Sequence, residues 1–93
     1  MREKTLEHNL VMEVKRVGGL ALKFVSPGFD GVPDRLVLLP GGKVGFVEVK
    51  APGEHTRPLQ EARLRLLRKM GFKAYVLDDE EQIGGIIDEI RAT

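Results

Sequence analysis

The chain has 93 residues, no cysteine, 42% hydrophobic and 31% charged residues, and a formal net charge of +1. This is one domain's length with one modest core and the composition of a folded, soluble chain; the missing cysteines exclude disulfides and thiolate metal sites and fit a reducing cytoplasm. No apolar run is long enough to cross a bilayer, and Met1-Arg2-Glu3-Lys4 reads as the start of a charged helix and not as a secretory signal. The small net charge does not by itself argue for a nucleic-acid partner. Its distribution, with Arg57, Arg63, Arg65, Arg68 and Lys69 in one segment and Asp78 to Glu81 all acidic, leaves room for a locally basic face.

In chain order, Leu6, Leu10, Val14 and Val17 recur at helical spacing and predict a helix over Glu3–Val17, stopped by Gly18-Gly19. Leu20–Val25 reads as a strand, and Ser26–Pro33, with two prolines and two glycines, as a loop. Asp34–Leu39 and Lys43–Lys50 read as strands joined through Pro40-Gly41-Gly42. Ala51–Thr56 is a linker. Thr56 is placed to cap a helix that has Pro58 in its first turn, runs to about Met70 and ends at Gly71. Its expected buried stripe is Leu59, Ala62, Leu66 and Met70. Phe72–Leu77 reads as a strand. A last helix begins near Asp79 and runs through Arg91, with Ile83, Ile86, Ile87 and Ile90 inside.

The hairpin register carries the chemistry. A three-residue loop, with a type I turn at Pro40 and left-handed Gly42, sets Leu39 opposite Lys43 and therefore Asp34 opposite Glu48. Opposed residues share a face of the sheet; a two-residue loop would put the two carboxylates on opposite faces. Alternation along Phe46-Val47-Glu48-Val49-Lys50 points Phe46, Glu48 and Lys50 one way and Val47 and Val49 the other. Two converging carboxylates are hard oxygen ligands suited to Mg²⁺ or Mn²⁺, and the Val49 carbonyl is placed to add a third. Such an ion polarises a phosphoryl oxygen and acidifies a bound water, while Lys50 can position that water or stabilise charge on phosphorus. A lone Glu-X-Lys on a strand is usually a solvated charge pair. An Asp after a Gly-X-Pro loop, tied to it by a hairpin, adds weight to the chemical reading.

Gly18-Gly19 after a helix, Gly31-Val32-Pro33-Asp34-Arg35, Phe46-Val47-Glu48-Val49-Lys50 and then Gln60 on a helix together resemble the virus-type replication-repair nuclease (VRR-NUC) domain, a branch of the PD-(D/E)XK nucleases. The resemblance runs from Glu3 to about Leu77. It implies an α/β, restriction-endonuclease-like core over residues 1–93, a mixed β-sheet flanked by helices in the order α-β-β-β-α-β-α. It also implies a DNA endonuclease with Mg²⁺ or Mn²⁺ held by Asp34 and Glu48, and Lys50 as the catalytic lysine. Glu7 is the best match for the glutamate that the first helix supplies in such sites, with Glu3 the alternate; Gln60 matches the glutamine that follows the lysine. Stand-alone members resemble Holliday-junction resolvases that act as homodimers on branched DNA. A cytoplasmic setting, in a bacterial cell or a phage-infected host, follows from the same likeness. A flap or 5′-end nuclease, a nicking enzyme, or a silent DNA-binding module are the alternatives.

Other residues weigh toward simpler roles. His8 and His55 are not paired by spacing, and an oxygen-ligand site does not need imidazole. Arg57, Arg63 and Arg65 read as a solvated helix face that also suits phosphate, and Lys23 is an outside candidate for the same contact. Phe29, in a glycine-flanked loop, is a candidate to stack on a base or meet a partner subunit. No organic cofactor is expected.

Overall fold

The computed structural model describes residues 1–93. Its elements are α1 (Glu3–Arg16), β1 (Leu20–Lys23), β2 (Arg35–Leu39), β3 (Lys43–Val49), α2 (Pro58–Lys69), β4 (Lys73–Leu77) and α3 (Gln82–Arg91). The four strands form one sheet in the order β1-β2-β3-β4. β1 and β2 are antiparallel, as are β2 and β3, whereas β3 and β4 are parallel. Parallel neighbours need a crossover, and α2 is that crossover. The element order and the mixed α/β sheet are those expected from the sequence.

The three-residue hairpin loop is confirmed, since Leu39 pairs with Lys43 and Arg35 with Val47. The turn itself differs from the expected type. Gly41 and Gly42 both have positive φ, 87° and 73°, so Pro40-Gly41 is the proline–glycine centre of a type II turn. The register survives because loop length fixes it, whichever turn type the loop uses.

α1 and α3 cover one face of the sheet. Leu6, Leu10 and Val14 meet Val37, Val47, Val49 and the isoleucines Ile83, Ile86, Ile87 and Ile90 in the main core. Gly45 makes that fit close. A Cβ there would lie 2.3 Å from Ile90 Cδ1, so only glycine lets α3 approach β3 at this point. The other face holds a smaller cluster, Phe46, Leu64 and Ala74, under α2.

α2 is rotated from the expected stripe. Leu59, Leu66 and Met70 are exposed, while Gln60 and Leu64 are buried and Leu67 is partly buried. The N-cap is Arg57 and not Thr56; the Thr56 hydroxyl donates instead to the Glu61 carboxylate. The physical reason for this rotation is Glu48.

Candidate active site

The sheet alternation places Glu48 on the α2 side at the end of β3, and Phe46 two residues earlier anchors that side in the small cluster. Val47 and Val49 point into the opposite core. Glu48 is thereby driven under α2, at 1% exposure. A buried carboxylate must be matched by donors or it costs several kcal/mol (~2–7 for an unpaired polar group). Three donors meet it. The Asp34 amide donates to Oε1 at 3.2 Å, Gln60 Nε2 donates to Oε2 at 2.7 Å, and Lys50 Nζ lies 3.1 Å from Oε2.

Gln60 does two jobs with its two amide atoms. Its Nε2 holds Glu48, and its Oε1 accepts the Arg57 backbone N–H at 2.9 Å, which is half of a capping box. The side chain that closes the first turn of α2 is therefore the one that satisfies the buried carboxylate. This explains the rotation of α2: the face carrying Gln60 turns inward together with Leu64.

Asp34 stands one step beyond the last ladder pair, Arg35–Val47, and so opposite Glu48. Its Oδ2 accepts the Val49 amide at 2.9 Å, and its own carbonyl accepts the Phe24 amide at 2.9 Å. Both ends of the residue are fixed, and Oδ1 remains for a ligand. Burial, first, and the negative charge of Asp34, second, raise the Glu48 pKa above the usual carboxylate range, against the opposing pull of Lys50. Lys50, whose side chain is only 12% exposed, is the one cation paired with Glu48.

Glu7 Oε2 accepts from Arg35 Nε at 2.7 Å, and Arg35 also donates to the Ala21 carbonyl at 3.0 Å. Arg35 follows Asp34 in sequence, so alternation turns it to the α1 face. No three acidic, histidine or cysteine side chains converge into a group that could hold an ion; the acidic pair is Asp34 with Glu48.

The VRR-NUC domain model matches residues 11–79, well over half of the chain. The chain belongs to the VRR-NUC domain family. A protein named as a candidate nuclease, p44, of Acyrthosiphon pisum secondary endosymbiont phage 1 is 52% identical over 81 residues, covering 87% of each chain. A solved VRR-NUC domain structure superposes with a TM-score of 0.86 at 31% identity, over 92% of this chain and 94% of that one.

His8 and His55 are exposed, as are Lys23, Arg57 and Arg65. Phe29 is 42% exposed, and its ring is covered by the Arg63 guanidinium at 3.8 Å. Arg63 also donates to the Asp30 carbonyl at 2.7 Å, so this arginine is committed to holding the loop before Asp34. The sequence reading missed Arg35 as the partner of Glu7. The signal was there in alternation: a residue next to Asp34 on a strand must face α1. No helix is long and apolar enough to cross a membrane.

Proposed function

We propose that this VRR-NUC domain is a Mg²⁺- or Mn²⁺-dependent DNA endonuclease that hydrolyses phosphodiester bonds in branched DNA, with four-way junctions as substrate and a homodimer as the acting unit. The observation that carries the reading is the crowding of Asp34 against Glu48, which is buried, raised in pKa and paired with Lys50. A divalent ion fits that donor set. Mg²⁺ is commonly held by one or two carboxylates while keeping several waters, and Asp34 Oδ1, Glu48 and the Val49 carbonyl supply oxygens only. A residue's N–H and C=O leave a strand on the same edge; because the Val49 N–H meets Asp34, its carbonyl leaves on that side too.

When bound, such an ion would polarise a phosphoryl oxygen and acidify a water. The chain's own groups do the rest. Lys50 presents a fixed ammonium to the negative charge that develops on phosphorus, a kind of contribution worth about 3 kcal/mol in the transition state. Gln60 holds Glu48 in one rotamer, and Val49 holds Asp34, so the two carboxylates are oriented before substrate arrives. Glu7 is assigned no ligand role in this arrangement, because Arg35 occupies its carboxylate.

The dimer draws support from the uncovered half of the sheet. Leu20 pairs with Leu38 and Leu22 with Leu36 on the α2 side, yet α2 packs over the cluster of Phe46, Leu64 and Ala74. Leu20 and Leu22 are left 55% and 43% exposed on an edge strand. A twofold pair would bring two sites to one junction for paired cuts.

The test is cleavage of labelled four-way junction, fork, flap, duplex and single strand, each with Mg²⁺, Mn²⁺ or EDTA. Symmetric cuts near the junction centre that require metal are the expected result. Metal-dependent cutting of flaps or ends alone would replace the substrate. Binding without any cleavage would make the domain a DNA-binding module.

A further inference from the structure

Beside the N-terminal turns of α1 lies a groove of about 540 Å³, lined among others by Arg2, Lys4, Glu7, His8, Lys23 and Arg35. Its one carboxylate, Glu7, is taken by Arg35 at 2.7 Å. The ion pairs of the molecule are Arg16–Glu13, Arg35–Glu7 and Lys50–Glu48, so Arg2, Lys4 and Lys23 have no acidic partner. Lys23 and Arg35 are directly opposed in the β1–β2 ladder. Arg35 is matched by Glu7, so Lys23 is the member of this opposed pair left without a counter-charge. An anion in the groove would supply one.

The position is as telling as the charge. Arg35 follows Asp34, so the groove begins about 3.8 Å along the chain from the candidate active site, on the other face of the sheet from Gln60. The arginines of α2, the other basic segment, are partly committed. Arg63 is engaged by Phe29 and the Asp30 carbonyl, and Arg68 donates to the Ala74 carbonyl at 2.9 Å.

We propose that the α1–β1 groove is a phosphate-binding track, in which Arg2, Lys4 and Lys23 hold backbone phosphates of the DNA strand flanking the bond to be cut. This rests on the nuclease reading above. The contacts are to phosphate, so they set register and orientation and carry no base sequence.

Binding of labelled duplex and of four-way junction, followed by fluorescence anisotropy in EDTA from about 50 to about 200 mM KCl, isolates this interaction from metal and chemistry. Three double variants are compared with wild type: Lys4→Glu with Lys23→Glu, Lys4→Gln with Lys23→Gln, and Arg57→Glu with Arg65→Glu on α2. The glutamate variant of the groove is expected to bind about tenfold or more weakly. Its log–log salt dependence should flatten by about 0.9 for each phosphate no longer neutralised. The glutamine variant, which guards against misfolding, should fall between it and wild type. Unchanged affinity and salt slope in a folded groove variant would overturn the track, and a weakening confined to the α2 variant would move the DNA to α2. Wild-type cleavage without any metal-free binding would also overturn the track while leaving the nuclease reading intact. A wild type that neither binds nor cuts DNA would end both.

Discussion

The two faces of the sheet meet at the same strand ends and treat charge in opposite ways. On the α1 face, Glu7 and Arg35 form a balanced pair, one acid to one base at 2.7 Å, with 25% and 14% of their side chains exposed. On the α2 face, Glu48 is fully buried, Asp34 crowds it, and a single lysine pairs with it. The first arrangement is what a fold needs at a half-wet seam. The second is costly for a fold alone, and perturbed carboxylates of this kind cluster at functional sites. On the proposed function the contrast separates side chains kept for stability from side chains kept for chemistry, and each substitution below presses on one side of it.

The largest effect is expected from Lys50→Ala. Loss of one well-placed charge should reduce cleavage by about 100-fold or more, with the circular-dichroism spectrum retained. A tenfold or smaller change in single-turnover rate would remove Lys50 from the site. Arg35→Ala should do the reverse. It leaves Glu7 unpaired and the Ala21 carbonyl without its donor, so urea unfolding should show a loss of about 2 kcal/mol. Cleavage per folded molecule should change far less than in the Lys50 variant.

Gln60 belongs to both sides, because it caps α2 and holds Glu48. Gln60→Ala is expected to cost about 1 kcal/mol of stability and to lower cleavage as Glu48 loses its fixed rotamer. Gln60→Glu keeps the capping oxygen but sets another buried carboxylate against Glu48, and should cost more stability than Gln60→Ala. Unchanged cleavage per folded molecule in Gln60→Ala would reduce Gln60 to a structural residue.

The smallest effect has an unusual sign. The pKa of Glu48 is raised in the folded state by burial and by Asp34, above an unfolded value near ~4.3. Folding then favours the protonated form. Its contribution to stability is present in full below the unfolded pKa and is lost as pH rises through the folded pKa. Metal-free Glu48→Gln should therefore gain on wild type in thermal unfolding as pH rises above about 4, although it disables the site. A variant that loses ground over that range would contradict the assignment of strain to Glu48.

Much of this was legible in the sequence. Periodicity gave α1 and α3 with their buried residues, because each has one apolar stripe and no competitor. Loop length gave the hairpin register and hence the Asp34–Glu48 pair, even though Gly41 adopts a turn different from the expected one. α2 was phased wrongly because two stripes were available. Leu59, Leu66 and Met70 make one, Leu64 and Leu67 the other, and both satisfy helical spacing. The choice is made by a buried carboxylate on another element, which requires Gln60 to face inward. The Glu7–Arg35 pair likewise joins side chains far apart in the chain: Glu7 Oε2 accepts from Arg35, 28 residues away in sequence.

The most direct test of the central claim is calorimetric titration of Mn²⁺ into the domain, repeated with Asp34→Asn, Glu48→Gln and Glu7→Gln. Binding in wild type that disappears in the first two variants and is kept in Glu7→Gln is the expected result. Binding that survives in both Asp34→Asn and Glu48→Gln would show that the pair beneath α2 is not the metal centre.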